Sequence, residues 1–353
     1  MIGFRKRWNR LLRRLEGRAY VLMYHRIAEV DVDPWQLAVH PRRFEAHLDA
    51  LRATTTVVPM RELAERVRAG RSVRGLAAIT FDDGYADNAR VARPMLERRG
   101  LPATFFVSTG VIDGASRFWW DVVEDVLLRR GRLPHRLDLG PGSAVEAFDL
   151  GETAILDEPT RAAIRGWNAE RPHVSARTRA FHHVWSTLHG LSPDRRAVEL
   201  ERLEAWAGPT TEPGPGPLGG PATMRADELR GLGASELFEV GAHGVTHVAL
   251  ANVDAPTRER EVRGSVETLA AWLGRPVVGF AYPNGSHDEA TRRAVRDVGV
   301  RYAVTTSGAS VTRRADPYML GRVHVADIEA DALLRRLGRR SSRSRSEKDG
   351  RAA

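Results

Sequence analysis

At 353 residues the chain is long enough for one large α/β barrel or two ordinary domains, and no apolar run approaches the ~18 residues of a membrane span. It has no cysteine, which removes disulfides, thiolate metal sites and cysteine nucleophiles, so any metal must be held by His, Asp or Glu. Residues 1–18 and 335–353 each carry a net +6, so subtracting both from the total of +9 leaves the interior at −3. The positive excess lies in the ends, which argues against a nucleic-acid surface on the globular body.

Along the chain, Phe4, Trp8, Leu11, Leu12 and Leu15 recur at helical spacing opposite Arg5, Lys6, Arg10, Arg13 and Arg14. Residues 1–18 are therefore expected to form a basic amphipathic helix, either on an anionic membrane surface or docked on the protein's own body. The apolar stretch after the basic start is too short, and too interrupted by Arg, for a signal peptide. That places the expected location in the cytoplasm or at the inner face of its membrane. Short apolar runs follow, each ending in a polar or glycine-containing cluster. Tyr20–Met23 ends in Tyr24-His25, Ala77–Phe81 in Asp82-Asp83-Gly84, and Thr104–Val107 in Ser108-Thr109-Gly110. After a long gap, Phe238–Ala242 ends in His243, Val277–Ala281 in Tyr282-Pro283-Asn284-Gly285, and Tyr302–Thr305 in Thr306-Ser307-Gly308.

Each run has the length of a buried strand, and Pro94–Arg99, Arg258–Leu273 and Asp288–Val298 carry helical periodicity between them. The alternation predicts an α/β fold whose parallel sheet is covered by helices over residues 19–334. The stretch of about 114–235 differs. Phe118–Arg130, Pro172–His189 and Asp194–Ala207 pattern as helices, Gly208–Pro221 is a Pro/Gly linker, and five of the eight tryptophans fall here. It is expected to be a helical insertion, with its tryptophans either core or sugar-stacking faces. Residues 335–353, rich in Ser and Arg, pattern as a disordered basic tail.

The reactive side chains cluster at the predicted C-terminal strand ends, where parallel α/β barrels carry their chemistry. Adjacent carboxylates Asp82 and Asp83 repel one another unless a cation or hydrogen bonds offset the charge. His243 and His247 are four apart, so on a helical turn both imidazoles would face one metal. With Asp83 they make a His-His-Asp set that leaves positions open for water and substrate.

Thr80-Phe81-Asp82-Asp83-Gly84 and His243-Gly244-Val245-Thr246-His247 resemble the first two motifs of the polysaccharide deacetylase family, the NodB-homology or carbohydrate esterase family 4 group. In the second, Gly replaces the usual Ser or Thr. Leu22-Met23-Tyr24-His25, Pro102–Val107, Phe118–Asp121 and Phe280–Gly285 are similar to further family segments, over roughly residues 20–330. The resemblance implies an irregular (β/α) barrel of the NodB type with a helical insertion, acting on an acetylated glycan through a divalent metal, zinc by default. It implies Asp82 as general base, Asp83, His243 and His247 as metal ligands, and the backbone N–H of Tyr282 as oxyanion donor. His324 is the implied general acid, with His25 its rival at the same mouth, and His25 and Pro283 are expected to line the substrate site.

Two departures stand out. Ala281 and Tyr282 occupy the place of the family's aspartate-orienting Arg, for which Arg322 is the candidate substitute, and the Asp-x-x-x-Trp motif is not identifiable. The expected activity is hydrolysis of an acetamido group on a GlcNAc-like sugar in a polysaccharide or lipid-linked glycan. The alternatives are an O-acetyl esterase or non-sugar amidase on the same site, or a non-catalytic glycan-binding barrel. Oligomeric state has no signal in the sequence.

Overall fold

The computed structural model describes residues 17–114, 117–209 and 222–338. Nearly all of the basic segment 1–18 and most of the tail 335–353 lie outside the described residues, and the expectations for both stay with them. Among the described residues no helix is long and apolar enough to cross a membrane. The chain divides into two compact units, one of residues 1–28, 38–113 and 224–353, the other of residues 29–37 and 114–223.

Numbering the strands of the large sheet and the α-helices along the chain, the first unit opens with β1 (Arg18–Tyr24), α1 (Pro41–Thr54), β2 (Thr56–Val57) and α2 (Met60–Arg68). It continues with β3 (Leu76–Phe81), α3 (Arg93–Glu97) and β4 (Ala103–Val107). The second unit contributes α4 (Trp119–Glu124), α5 (Glu158–Ile164), α6 (Ala176–His189) and α7 (Pro193–Ala207). The first then resumes with α8 (Ala226–Gly233), β5 (Phe238–Ala242), α9 (Ala255–Leu273), β6 (Gly279–Ala281) and α10 (Glu289–Asp297). It closes with β7 (Tyr302–Val304), β8 (Val311–Thr312), β9 (Val323–His324) and α11 (Ala330–Arg336).

The sheet runs β7-β6-β5-β4-β3-β1-β8, with β9 also beside β1 and β2 beside β3. Every pairing is parallel except that of β1 with β8. Residues 320–325 bridge its ends, because Leu320 pairs with Val304 and Val323 with Leu22. The sheet therefore curls into the half-barrel expected of the resemblance. Side chains alternate across each strand. Ile79, Phe81, Phe105, Phe238 and Val240 enter the main core, whereas Ala78, Phe106, Ala281, Tyr302 and Val304 form a second cluster. Burying each large side chain is worth about 1.5–3 kcal/mol. Helices start where the sequence offers caps: the side chains of Asp254 and Asp288 accept the N–H groups of Thr257 and Thr291.

The second unit comprises residues 29–37 and 114–223. The boundary falls at 224 because Met224 pairs with the first unit's backbone, donating to Gly84 O and accepting from Asp113 N. Residues 29–37 join the helices through Trp35, whose ring lies 4.4 Å from that of Trp185, and through Pro34 O, which accepts Ala169 N. Trp119, Trp120 and Trp167 are buried core residues, whereas Trp185 and Trp206 are half-buried. Arg177, wholly buried on α6, donates to the carbonyls of Leu127, Arg130, Thr153 and Ala154 and ties two segments to that helix.

Candidate metal centre

All the strand-end residues singled out in the sequence belong to the first unit. Asp82 and Asp83 follow β3 and His243 follows β5, each leaving the sheet at its C-terminal edge. Asp83 Oδ1 lies 3.5 Å from His243 Nε2 and 3.4 Å from His247 Nε2. The three residues are buried, and their donor atoms lie within 4.8 Å of one another. Asp83 Oδ1 is fully enclosed with no hydrogen-bond partner. His243 Nδ1 donates to Ala281 O at 2.9 Å, which leaves the Nε2 lone pair facing the cluster.

These residues fit a divalent ion. Donors about 2.0–2.1 Å from a tetrahedral ion stand roughly 3.4 Å apart, which matches the two Asp83-to-imidazole distances. Burial pushes the Asp83 carboxyl up, but the imidazoles of His243, His247 and His25 around it outweigh this and hold the group at about 2. Burial, more than any neighbour, lowers His247 to about 3. Asp83 is thus anionic and His247 neutral, the forms a metal requires of them, whereas burial of His243 is outweighed by the charges of Asp82 and Asp83, which raise it, so a metal would displace its proton on binding.

One geometric expectation is corrected. His243 and His247 are not on a helical turn. Residues 243–249 form a loop in which Gly244 has φ +75° and His247 φ +57°, and this reversal brings the rings to 4.8 Å between centroids. The spacing of four was the right signal, but left-handed backbone closes the distance.

Asp82 sits beside this cluster, its Oδ2 3.9 Å from His243 Nε2. Arg322 grips it with a two-pronged contact: Nη1 donates to Oδ1 and Nη2 to Oδ2, both at 2.6 Å. The guanidinium is itself fixed, with Nε donating to Thr305 O and Nη1 also to Thr80 Oγ1. Burial raises the Asp82 carboxyl, yet the charges of Arg322 and then His243 overcome this and leave it below the usual carboxylate range. Arg322 therefore stands where the sequence lacked an arginine at 281 or 282, delivered by the segment that bridges β7 and β1.

His324 lies on β9 in register with Met23, its ring 5.6 Å from that of His25 at the end of β1. His25 is anchored from the Asp-Asp segment: Asn88 Nδ2 donates to His25 O at 2.7 Å, and Asp87 accepts Ile27 N and Arg26 Nε. The Tyr282 expectation meets a correction. Its N–H donates to Val304 O at 3.1 Å as part of the sheet ladder, so in this geometry it is not available to an oxyanion. The Tyr282 ring is buried and its hydroxyl donates to Tyr318 O. Pro283 is buried against the metal-site loop, its Cγ 3.4 Å from where a Cβ on Gly244 would stand.

Residues the sequence reading did not single out complete the frame. Ser108 Oγ donates to His243 O, and Asp83 O accepts Ser108 N. Glu261, buried on α9, accepts the N–H groups of Val245 and Thr246. A carboxylate on the apolar face of a helix is an anomaly that periodicity could have flagged.

A largely parallel sheet that carries a buried carboxylate and two imidazoles at its C-terminal strand ends, with a second carboxylate clamped alongside, makes an α/β protein with a candidate metal centre. The model of the polysaccharide deacetylase family matches residues 70–130 and 217–303, the stretches that contain both motifs. The Bacillus subtilis protein YxkH, described as a polysaccharide deacetylase, is 34% identical over 89 residues. That match spans 25% of this chain and 30% of the relative's length. Among solved structures, the Streptococcus pyogenes deacetylase PplD, in complex with acetate, aligns over 91% of this chain and 98% of its own at 14% identity, with a TM-score of 0.55. A Bacillus cereus polysaccharide deacetylase aligns over 91% of this chain and 69% of its own (17% identity, TM-score 0.54). IcaB from Ammonifex degensii aligns over 88% and 92% (19% identity, TM-score 0.51). Over those two stretches the chain matches the polysaccharide deacetylase family, and its sheet shares the fold of these structures.

Proposed function

We propose that the protein is a metal-dependent hydrolase that removes acetyl groups from N-acetylated sugars of a polysaccharide or lipid-linked glycan. The observation that carries this reading is the buried Asp83, His243 and His247 cluster, its two Asp83-to-imidazole edges matched to one tetrahedral ion. A divalent ion held there, with zinc the expected occupant, supplies Lewis acidity and brings the pKa of a bound water toward ~7. The remaining work falls to side chains. Asp82, kept ionised by Arg322 and aimed at the cluster, takes the proton from the attacking water. His324 donates a proton to the departing amine, and His25 beside it borders the sugar. Pro283, packed on the Gly244 turn, bounds the same mouth. The Tyr282 amide, already bonded to Val304, is left out of the scheme.

Protein stripped by a chelator should release no acetate from an N-acetylated chitooligosaccharide, and zinc or cobalt should restore release. Metal-loaded protein that frees no acetate from any N-acetylated glycan would overturn the reading. Acetate release from O-acetylated glycans alone would reassign it to ester hydrolysis.

A further inference from the structure

Glu261 is 5% exposed and has no part in the chemistry proposed above. Its Oε2 accepts the N–H groups of Val245 (2.8 Å) and Thr246 (2.9 Å), and its Oε1 accepts the Thr246 hydroxyl (2.5 Å). The two amides are consecutive, in the loop that Gly244 opens and His247 closes with positive φ. Successive N–H groups aimed at one point form an anion-binding concavity. Here the anion comes from the protein's own next helix. One turn earlier on α9, Arg258 donates to Leu250 O (3.0 Å) and Val253 O (2.9 Å). Residues 258 and 261 share a helix face, so one face grips the amides of the loop by a carboxylate and the carbonyls of the turn that follows it by a guanidinium.

The two imidazoles reach the cluster by different means. His243 is fixed by the sheet: its N–H donates to Val107 O, its ring to Ala281 O, and its carbonyl accepts Ser108 Oγ. His247 stands four residues farther on, beyond a glycine reversal, in backbone that a non-glycine residue adopts only at a cost of about 1–3 kcal/mol. The loop amides just before it are the ones Glu261 holds. The carboxylate also lies against the reversal itself, Oε2 standing 3.1 Å from where a Cβ on Gly244 would be.

We infer that Glu261 is a positioning residue that sets metal retention: by holding the amides of Val245 and Thr246 it keeps the His247 imidazole within reach of Asp83. The inference rests on the metal-site reading of the cluster. It makes Glu261 responsible for how tightly the ion is kept and not for the chemical step.

The test is zinc affinity, measured by competition with a chromophoric chelator on folded wild-type protein, Glu261→Gln and Thr246→Val. Glu261→Gln keeps the size of the side chain but cannot accept all three bonds. It should weaken zinc binding by about 10–100-fold, the usual effect of losing an outer contact to a metal ligand. Its kcat at saturating zinc should stay near that of wild type. Thr246→Val removes only the hydroxyl contact and should weaken zinc by about fivefold, the worth of one hydrogen bond. Should Glu261→Gln fail to fold, the Thr246→Val shift decides the matter. Wild-type zinc affinity in a folded variant overturns the inference and leaves the metal site standing. Loss of kcat at full zinc occupancy with affinity unchanged also overturns it. Wild-type protein that binds no zinc, cobalt or other divalent ion removes the underlying reading instead.

Discussion

Replacing Arg322 by Met would remove the guanidinium that holds the buried Asp82 carboxyl in its ionised form. The two side chains are 0% and 3% exposed, and both carboxylate oxygens are taken by the guanidinium. Breaking such a buried pair costs about 3–5 kcal/mol, because the surviving charge is stranded. At about 2–4 °C per kcal/mol for a large domain, the melting temperature should fall by roughly 6–20 °C. Burial already pushes Asp82 toward the neutral acid, and Arg322 is the first influence opposing it. Without Arg322 the carboxyl takes up a proton and ceases to be a base, so kcat should drop by about 10²–10⁴, the usual contribution of general base catalysis. Zinc should still bind, since neither the Asp83 carboxylate nor either imidazole contacts the guanidinium in the contacts given above.

The double variant Arg322→Met/Asp82→Asn removes both charges and separates stability from catalysis. Its melting temperature should recover most of the loss, because a buried pair replaced by neutral groups is often no less stable than the original. Its activity should not recover. Thermal melts, acetate release and zinc binding on wild type, Arg322→Met, Asp82→Asn and the double variant complete the cycle. An Arg322→Met protein that melts within about 2 °C of wild type, less than 1 kcal/mol by the same conversion, and keeps its kcat refutes the assignment of Arg322 as the partner of the base.

Three other expectations follow from the same geometry. Asp82→Asn should abolish turnover yet keep zinc, while Asp83→Asn should lose both; equal metal loss in dialysed samples would show that base and ligand are misassigned. Glu239, buried near the start of β5, is held above the usual carboxyl range by burial, only partly offset by the Tyr302 hydroxyl and by Arg61. A raised folded value means that stability is full below the unfolded value of about 4.5 and is lost as pH rises through the folded one. Melting curves of Glu239→Gln against wild type should therefore shift in the variant's favour from pH 4.5 to 8, and a pH-independent difference rules this out. Deleting residues 1–18 should weaken co-sedimentation with anionic vesicles without changing acetate release from a short soluble substrate; unchanged sedimentation argues against membrane contact.

The strands were legible because each is an apolar run cut off by polar residues, and the cuts fall at the sheet's C-terminal edge, where Asp82, Asp83, His243 and His324 all lie. Phe238–Ala242 matches the predicted strand residue for residue. The family resemblance was legible for the same reason, since both motifs are local. What escaped depends on contacts remote in sequence. Residues 29–37 carry no periodic pattern, and only the contacts of Trp35 and Pro34 assign them to the helical unit. Arg322 could be proposed from a missing arginine, but only the bridge of residues 320–325 between β7 and β1 shows why it meets Asp82, 240 positions away. Tyr282 failed as an oxyanion donor because a motif letter does not say whether its amide is already in a ladder.

The adjacency of Asp82 and Asp83 poses a geometric problem that the backbone solves. Successive residues of a strand point to opposite faces, so two neighbouring carboxylates should be separated by the sheet. Asp82 obeys the alternation and joins Thr80 at the Arg322 guanidinium. Asp83 does not continue it: its φ of +76°, followed by Gly84 at +96°, turns the chain so that its carboxylate reaches the imidazoles near Asp82. His247 makes the matching departure on the other loop at +57°. Two of the three proposed ligands thus occupy backbone that costs about 1–3 kcal/mol each, which only a surrounding fold can sustain. Bonds from Ser108 N to Asp83 O and from Met224 N to Gly84 O hold the first loop. Glu261 holds the second. The cluster is accordingly a property of the curled sheet, and destabilising either loop should weaken zinc binding before it unfolds the protein.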